Sequence, residues 1–107
     1  MLSGLDNFQT KFLRVGNEIY INDPEGVPLL HIELAEKEKI LERINRLREQ
    51  DIEQIDGGMM FVEGRVISFG GSSTTLSIPI TNQARNITVL NLKKMMPDYS
   101  IKDVSEE

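Results

Sequence analysis

The 107-residue chain contains no cysteine, no tryptophan and a single histidine, and its aromatic residues are four phenylalanines and two tyrosines. The absence of cysteine excludes disulfides and thiolate metal sites, and it makes a reduced, cytoplasmic location the expectation. One histidine among scattered carboxylates matches no metal-binding spacing, so we expect no metal. Because neither a P-loop nor a dinucleotide-binding fingerprint is present, we expect no cofactor.

Long apolar runs and an excess of positive charge are also missing. No apolar stretch approaches the roughly 20 residues that span a bilayer, and the first residues lack the basic region of a signal peptide, so we expect no membrane association. The formal net charge of −5 and the few aromatic residues argue against nucleic-acid binding. The remaining balance, 39% apolar and 27% charged residues, is typical of one globular domain.

The first third of the chain has the pattern of β-structure. Residues 1–10 are polar and aperiodic, which predicts a frayed end, and a short strand is expected over 12–15. A turn sequence at residues 23–26 separates two further apolar segments and predicts a β-hairpin over 18–32. Because Pro28 cannot donate a ladder hydrogen bond, the returning strand is expected at a sheet edge.

A helical period begins at Glu33. Apolar residues recur at helical spacings as far as Leu47, with charges at most other positions, and this pattern predicts a helix over 33–50 with a solvated charged face. Gly57-Gly58 is expected to end the segment that contains this helix. The apolar runs on either side of Glu63-Gly64 predict a second hairpin over 59–69.

The last third combines strand and helix patterns. Residues 76–80 alternate as a short strand, with Pro79 marking its edge or end. Residues 83–96 fit a helical face but also alternate in part. A helix is predicted, because Asn82 can cap its first turn and Pro97 would stop it.

A final strand is expected over 99–104, and residues 105–107 are expected to be frayed. The predicted order is therefore hairpin, helix, hairpin, strand, helix, strand. This order predicts a single α+β domain in which a mixed β-sheet carries two packed helices.

A loop of small residues after the second hairpin is the segment most typical of a binding site. Successive N–H groups of a glycine-rich turn, together with hydroxyl groups, can converge on a phosphate. An arginine could add bidentate contacts, and Arg65 and Arg85 are the candidates. The same composition also fits a plain strand connection, and both arginines fit surface ion pairs. The predicted anion-binding residues are Gly70, Gly71, Ser72, Ser73 and Thr74, with Arg65.

Three short motifs resemble the Janus/Ocnus family of phosphohistidine-phosphatase-like proteins. They are Gly57-Gly58, Val66-Ile67-Ser68-Phe69-Gly70-Gly71-Ser72 and Met96-Pro97-Asp98-Tyr99-Ser100-Ile101. The resemblance extends over about residues 57–104. It implies a mixed sheet flanked by two helices, with a histidine near the start of the first long helix that acts as a general base or accepts the phosphate.

His31 lies just before the helix predicted at 33–50, the element in which the family carries its histidine. An imidazole titrates near pH 6.5 and can take and return a proton. The chain departs from the family pattern because His31 is several residues farther from Gly57-Gly58, and because Arg85 or Asn86 stands near the family's second histidine. A half-buried histidine bonded to the backbone is the alternative role.

The sequence supports two hypotheses. In the first, the protein hydrolyses a phosphoryl group of a phosphate compound or phosphoprotein. His31 is then the base, Ser72 and the loop amides hold the phosphate, and the side chains of His31 and Ser72 are predicted to lie ~5–8 Å apart. In the second, the same fold is a non-catalytic protein-binding or scaffold domain. It would contact a partner, or a second copy of itself, through helix faces or through the sheet edges expected at Pro28 and Pro79.

Overall fold

Five strands form one mixed sheet in the computed structural model, which describes residues 7–22, 26–73 and 75–104. In chain order the strands are Phe8–Val15 (β1), Glu18–Ile21 (β2), Ile55–Glu63 (β3), Val66–Gly70 (β4) and Ser100–Asp103 (β5). Their order across the sheet is β2-β1-β3-β4-β5. The pairs β1–β2, β1–β3 and β3–β4 are antiparallel, and the pair β4–β5 is parallel. The prediction of an α+β domain with a mixed sheet is confirmed.

Three helices cover the two faces of the sheet, where the sequence predicted two. They are His31–Lys37 (α1), Leu41–Gln50 (α2) and Asn82–Met95 (α3), and a short 3-10 helix, Ile52–Gln54, leads into β3. Side chains of a strand alternate between faces. Leu13 and Val15 of β1 therefore pack with α1 and α2, whereas Phe12 packs on the α3 side.

The hairpin predicted over 18–32 is wrong, because the partner of β2 is the preceding strand. Val15 pairs with Glu18 across Gly16-Asn17, and Gly16 has a φ of +61° that suits a tight turn. Residues 27–30 form no strand, and His31 begins a helix. The predicted turn at 23–26 lies outside the described residues except for Gly26. The strand predicted at 12–15 is confirmed and begins at Phe8, so residues 8–10 are not frayed.

The single helix predicted over 33–50 is two helices, α1 and α2. The chain leaves the first helix at Lys39, which has a φ of +61°, and the Ile40 N–H bonds to the Ala35 carbonyl at 2.9 Å. This break turns Ile40 toward the core, where Leu34 and Ile44 are also buried. A continuous helix would place residues 34 and 40, six apart, on different faces.

Gly57-Gly58 does not end a helical segment, since both glycines lie inside β3. The hairpin predicted over 59–69 is confirmed as β3 and β4, with Glu63 paired to Val66. Its turn contains Gly64 at a φ of +59°, the conformation that favours glycine.

The strand predicted over 76–80 is absent, and only an isolated bridge joins Ser73 to Ile78. Ser77 has a φ of +52°, which interrupts an extended run, so Pro79 does not mark a strand edge. The helix predicted over 83–96 is confirmed as α3. Thr81, not Asn82, caps it, because the Thr81 hydroxyl accepts from the Ala84 N–H at 3.1 Å. The final strand is confirmed as β5.

Candidate functional site

The candidate site lies where the end of β4 runs closely beside β3 at Gly58. A Cβ atom on Gly58 would overlap the carbonyl oxygen of Gly70, so only glycine permits this approach. The backbone carbonyls of Gly57 and Gly58 accept hydrogen bonds from side chains of two different helices. His31 of α1 contacts the Gly58 carbonyl, and Arg85 of α3 contacts the Gly57 carbonyl.

His31 is the first residue of α1, and only 4% of it is exposed. Its Nε2 atom lies 2.9 Å from the Gly58 carbonyl oxygen. A carbonyl oxygen can only accept, so this bond requires a proton on Nε2. Burial lowers the pKa of His31, and the nearby positive charge of Lys11 lowers it further, although backbone hydrogen bonds act in the opposite direction. The ring is therefore a neutral donor that ties α1 to β3.

The predicted anion loop contacts the first turn of α1 through Thr75. The Thr75 hydroxyl accepts from the Ile32 N–H at 3.2 Å, and the Glu33 carboxylate accepts from the Leu30 N–H at 2.9 Å. These acceptors occupy N–H groups that a phosphate at the helix start would need. The loop and the start of α1 are in contact through Thr75, with side chains of the chain itself as the acceptors, and the proximity of His31 to Ser72 stays a prediction.

The predicted loop residues themselves have different environments. Gly71 and Ser72 are exposed, and Gly71 has a φ of +73°. Ser73 is buried, and its hydroxyl has no hydrogen-bond partner among the described residues. Thr74 lies outside the described residues. Among the predicted anion-binding residues that the structure describes, Ser72 is the one with an exposed hydroxyl.

Arg85 lies under this loop with Nη2 and Nε directed at other groups of the chain, whereas its Nη1 is buried with no hydrogen-bond partner among the described residues. Its Nη2 donates to the carbonyls of Gly57, at 3.2 Å, and of Gly71. Its Nε lies 3.3 Å from Oδ1 of Asp56. The Arg85 side chain is 2% exposed, so it supplies charge to the core and not to the loop surface.

Asp56 connects Arg85 to a second buried arginine. The Thr88 hydroxyl donates to Asp56 Oδ2 at 2.6 Å, and the Gly57 N–H bonds to Oδ1 at 2.8 Å. Arg14 Nε donates to the same Thr88 hydroxyl at 2.8 Å. Arg14 also donates to four backbone carbonyls, those of Gly16, Glu53, Gln54 and Ala84. We call Arg14, Asp56, Arg85 and Thr88 the buried network.

Burial shifts the pKa values of two members of the buried network, Asp56 and Arg14. Desolvation raises the pKa of Asp56, while the charge of Arg85 and the hydrogen bond from Thr88 lower it. Desolvation likewise lowers the pKa of Arg14, against the raising effect of Asp56. The network places two guanidinium groups beside one carboxylate and joins α3 to β1 and β3.

The structure does not bring Arg65 to the loop. Arg65 is exposed in the turn before β4, and the loop follows the opposite end of that strand. At about 3.3 Å per residue, the two ends are roughly 15–20 Å apart. Arg65 therefore faces a different part of the surface.

Sequence reasoning missed Asp56, Arg14 and Thr88. A signal exists for Arg14, which interrupts the apolar run Phe12–Val15, and for Arg85 and Thr88, which are three residues apart on one helix face. Asp56 carries no such signal, because it lies between the predicted helix and Gly57-Gly58, where a charged residue is ordinary.

Comparison of the chain with protein-family models, with curated proteins and with solved structures finds no match. Within the described ranges, no group of three or more histidine, cysteine, aspartate or glutamate residues could hold a metal ion. None of the helices in that part of the chain is long and apolar enough to cross a membrane.

Proposed function

We propose that the protein is a non-catalytic binding domain. The observation that carries this proposal is the state of His31, the one histidine in the sequence. Its ring is buried, and its Nε2–H donates a hydrogen bond to the Gly58 carbonyl. A general base needs a lone pair within reach of a substrate proton. A ring that fastens α1 to β3 fulfils a structural role.

The environment of Arg85 supports the same proposal. A phosphate-binding arginine presents two N–H groups to the anion. The Arg85 guanidinium contacts Asp56 and two backbone carbonyls, and lies over the rings of Phe12 and Phe69. An anion at this position would compete with the Asp56 carboxylate.

A phosphatase assay tests this function. The purified protein is incubated with a phosphohistidine peptide, and release of phosphate is measured against buffer. We expect no release above the buffer rate, for wild type and for Ser72→Ala alike. Saturable turnover by the wild type would overturn the non-catalytic function.

One observation favours phosphoryl hydrolysis as a second candidate. The 3.2 Å bond from the Ile32 N–H to Thr75 brings the small-residue loop and the start of α1 together. Exposed Ser72 belongs to that loop and corresponds to the serine of the family's loop motif. In this candidate, His31 is the base and the loop amides hold the phosphate.

Two serine variants distinguish the candidates without disturbing the core, because Ser72 and Ser100 are both exposed. A hydrolase would lose turnover in Ser72→Ala and keep it in the matched control Ser100→Ala. In a hydrolase, titration with inorganic phosphate would also change the amide chemical shifts of Gly70–Ser73. Unmoved loop amides together with absent turnover would exclude hydrolysis at this loop.

A further inference from the structure

A cavity of about 290 Å³ lies beside the first half of β1. β2 pairs only with the second half of β1, from Phe12 to Val15. The chain therefore leaves the sheet edge at Asn22 and returns over residues 26–30. The cavity is lined by Gln9, Thr10, Lys11, Asn22, Gly26, Pro28 and Met59.

Asn22 presents an unused acceptor at this cavity. The residue is 7% exposed, its N–H bonds to the Thr10 hydroxyl at 3.1 Å, and its Nδ2 donates to the Leu29 carbonyl at 3.1 Å. The Nδ2 bond fixes the orientation of the amide. Oδ1 is left buried, with no hydrogen-bond partner in the part of the chain that the structure describes. A buried acceptor in this state is stabilised by any ligand that brings an N–H or O–H group.

Lys11 gives the cavity a positive charge. It lies one residue from Thr10 on β1 and lines the same space. The described residues contain two salt bridges, Arg43–Glu18 and Arg85–Asp56, and neither involves Lys11. An ammonium group and an unused acceptor that line the same cavity suit a ligand that combines an anionic group with a hydrogen-bond donor.

Apolar surface completes the cavity and continues outside it. Met59 and Pro28 form apolar parts of the lining. Next to Pro28 along the chain, Val27 is 80% exposed, and Leu30 is 48% exposed. Val27 and Leu30 are three residues apart in the chain, so apolar side chains are exposed on both sides of Pro28.

We propose that this cavity binds the C-terminal carboxylate of a partner polypeptide whose last residue is apolar. The carboxylate pairs with Lys11, the last peptide N–H donates to Asn22 Oδ1, and the terminal side chain packs on Met59 and Pro28. The proposal deepens the proposed binding function and rests on it. Capture of a chain terminus by a few polar groups is an established mode of peptide recognition.

The surface outside the cavity favours a polypeptide over a free small carboxylate. A free N-acyl amino acid offers the same carboxylate and N–H, and it would fill the cavity alone. The residues before a polypeptide terminus would also cover Val27 and Leu30, whose exposure a small molecule leaves unchanged. Additional apolar contact should therefore make a peptide bind more tightly than its last residue.

Amide chemical shifts of the full chain, titrated with an acetylated tetrapeptide ending in leucine, test the proposal. We expect saturable shifts at Lys11, Asn22, Gly26 and Met59. The same peptide with an amidated C-terminus should bind at least about tenfold more weakly, because the charged contact is lost. A peptide with an ester in place of its last N–H tests the contact with Asn22 without any change to the protein. Its affinity should be about threefold to tenfold lower.

Lys11→Met is the matching protein variant, and Lys102→Met on β5 is its control with the same change in net charge. Lys11→Met should weaken binding at least about tenfold, and Lys102→Met should not. Equal binding of the amidated peptide, unchanged affinity in Lys11→Met, or shifts confined to other residues would overturn the site. N-acetyl-leucine binding as tightly as the tetrapeptide would overturn the polypeptide as ligand. Absence of binding refutes this site alone, whereas phosphatase activity refutes the proposed function.

Discussion

Arg85 and Asp56 form an ion pair in the core, with Nε 3.3 Å from Oδ1 and side-chain exposures of 2% and 0%. The Arg85 guanidinium carbon also lies 5.9 Å from the Phe12 ring centre and 5.6 Å from that of Phe69. Removing two charges from water is costly, and good geometry with additional hydrogen bonds must offset that cost. The pair therefore makes the protein sensitive to the loss of either partner.

Asp56→Asn should destabilise the fold strongly. The variant keeps the size of the side chain but removes the one carboxylate of the buried network, which leaves Arg14 and Arg85 buried without a counter-charge. Breaking a buried pair in this way costs about 3–5 kcal/mol. The free energy of unfolding, measured by urea titration, should fall by that amount.

Asp51→Asn is the matched control, because Asp51 is exposed at the end of α2. Its effect should stay within about 0.5 kcal/mol. Equal unfolding free energies for the two variants would contradict the structural role assigned to the Arg85–Asp56 pair.

Gly58→Ala should cost more stability than Gly57→Ala, although the two glycines are neighbours in β3. A Cβ on Gly58 meets the backbone carbonyl of Gly70, which cannot move without displacing β4. A Cβ on Gly57 lies 3.1 Å from a methyl of Leu13 and 3.2 Å from the Ser73 side chain, which can shift slightly. We expect losses of about 3 and about 1 kcal/mol in urea unfolding. The reverse order would show that the backbone around the Gly58–Gly70 contact relaxes easily.

The same glycines show why part of the fold could not be predicted from the sequence. Two adjacent glycines after a helical pattern are typical of a helix end. In the structure they lie in β3, where the Gly70 carbonyl leaves no room for a Cβ on Gly58. That requirement comes from a contact with Gly70, which is distant in sequence, and no local pattern contains it.

Local patterns did predict the elements whose partners are close in the chain. The hairpin around Glu63-Gly64 and helix α3 are both confirmed, since turn chemistry and amphipathic period are local signals. The strand predicted for the apolar run at 27–32 is absent, because β2, its expected partner, pairs with the earlier strand β1. For the candidate site, the sequence indicated the contact between the loop and the start of α1, but the bonds of His31 and Arg85 to β3 depend on packing.

Thr81→Ala should lower the free energy of unfolding by about 1 kcal/mol. Its hydroxyl accepts from the Ala84 N–H in the first turn of α3, and alanine leaves that donor without a protein partner. Asn82→Ala is the control, because Asn82 is exposed as the first residue of the helix, and alanine suits that position. Urea unfolding of both variants measures the difference. A larger loss in Asn82→Ala would restore the sequence prediction that Asn82 is the cap.

The stability of the protein should decrease as the pH falls below about 6.5, because of His31. Burial lowers the pKa of this histidine in the folded state, with Lys11 adding to the effect. The unfolded chain then binds the proton at a higher pH than the folded chain does, so acidification favours unfolding. The loss accumulates from the unfolded pKa down to the lowered folded pKa, and below that it stops growing.

His31→Gln isolates this effect, because the chain contains no other histidine and glutamine does not titrate. Asp56 has a raised pKa and acts with the opposite sign, but it is present in both proteins and cancels in the difference. Urea unfolding at a series of pH values should show the wild type losing stability relative to His31→Gln as the pH falls. Each unit of depression in the His31 pKa corresponds to about 1.4 kcal/mol. Parallel pH profiles would mean that the imidazole titrates equally in both states, and the bond to the Gly58 carbonyl would then not hold a buried neutral ring.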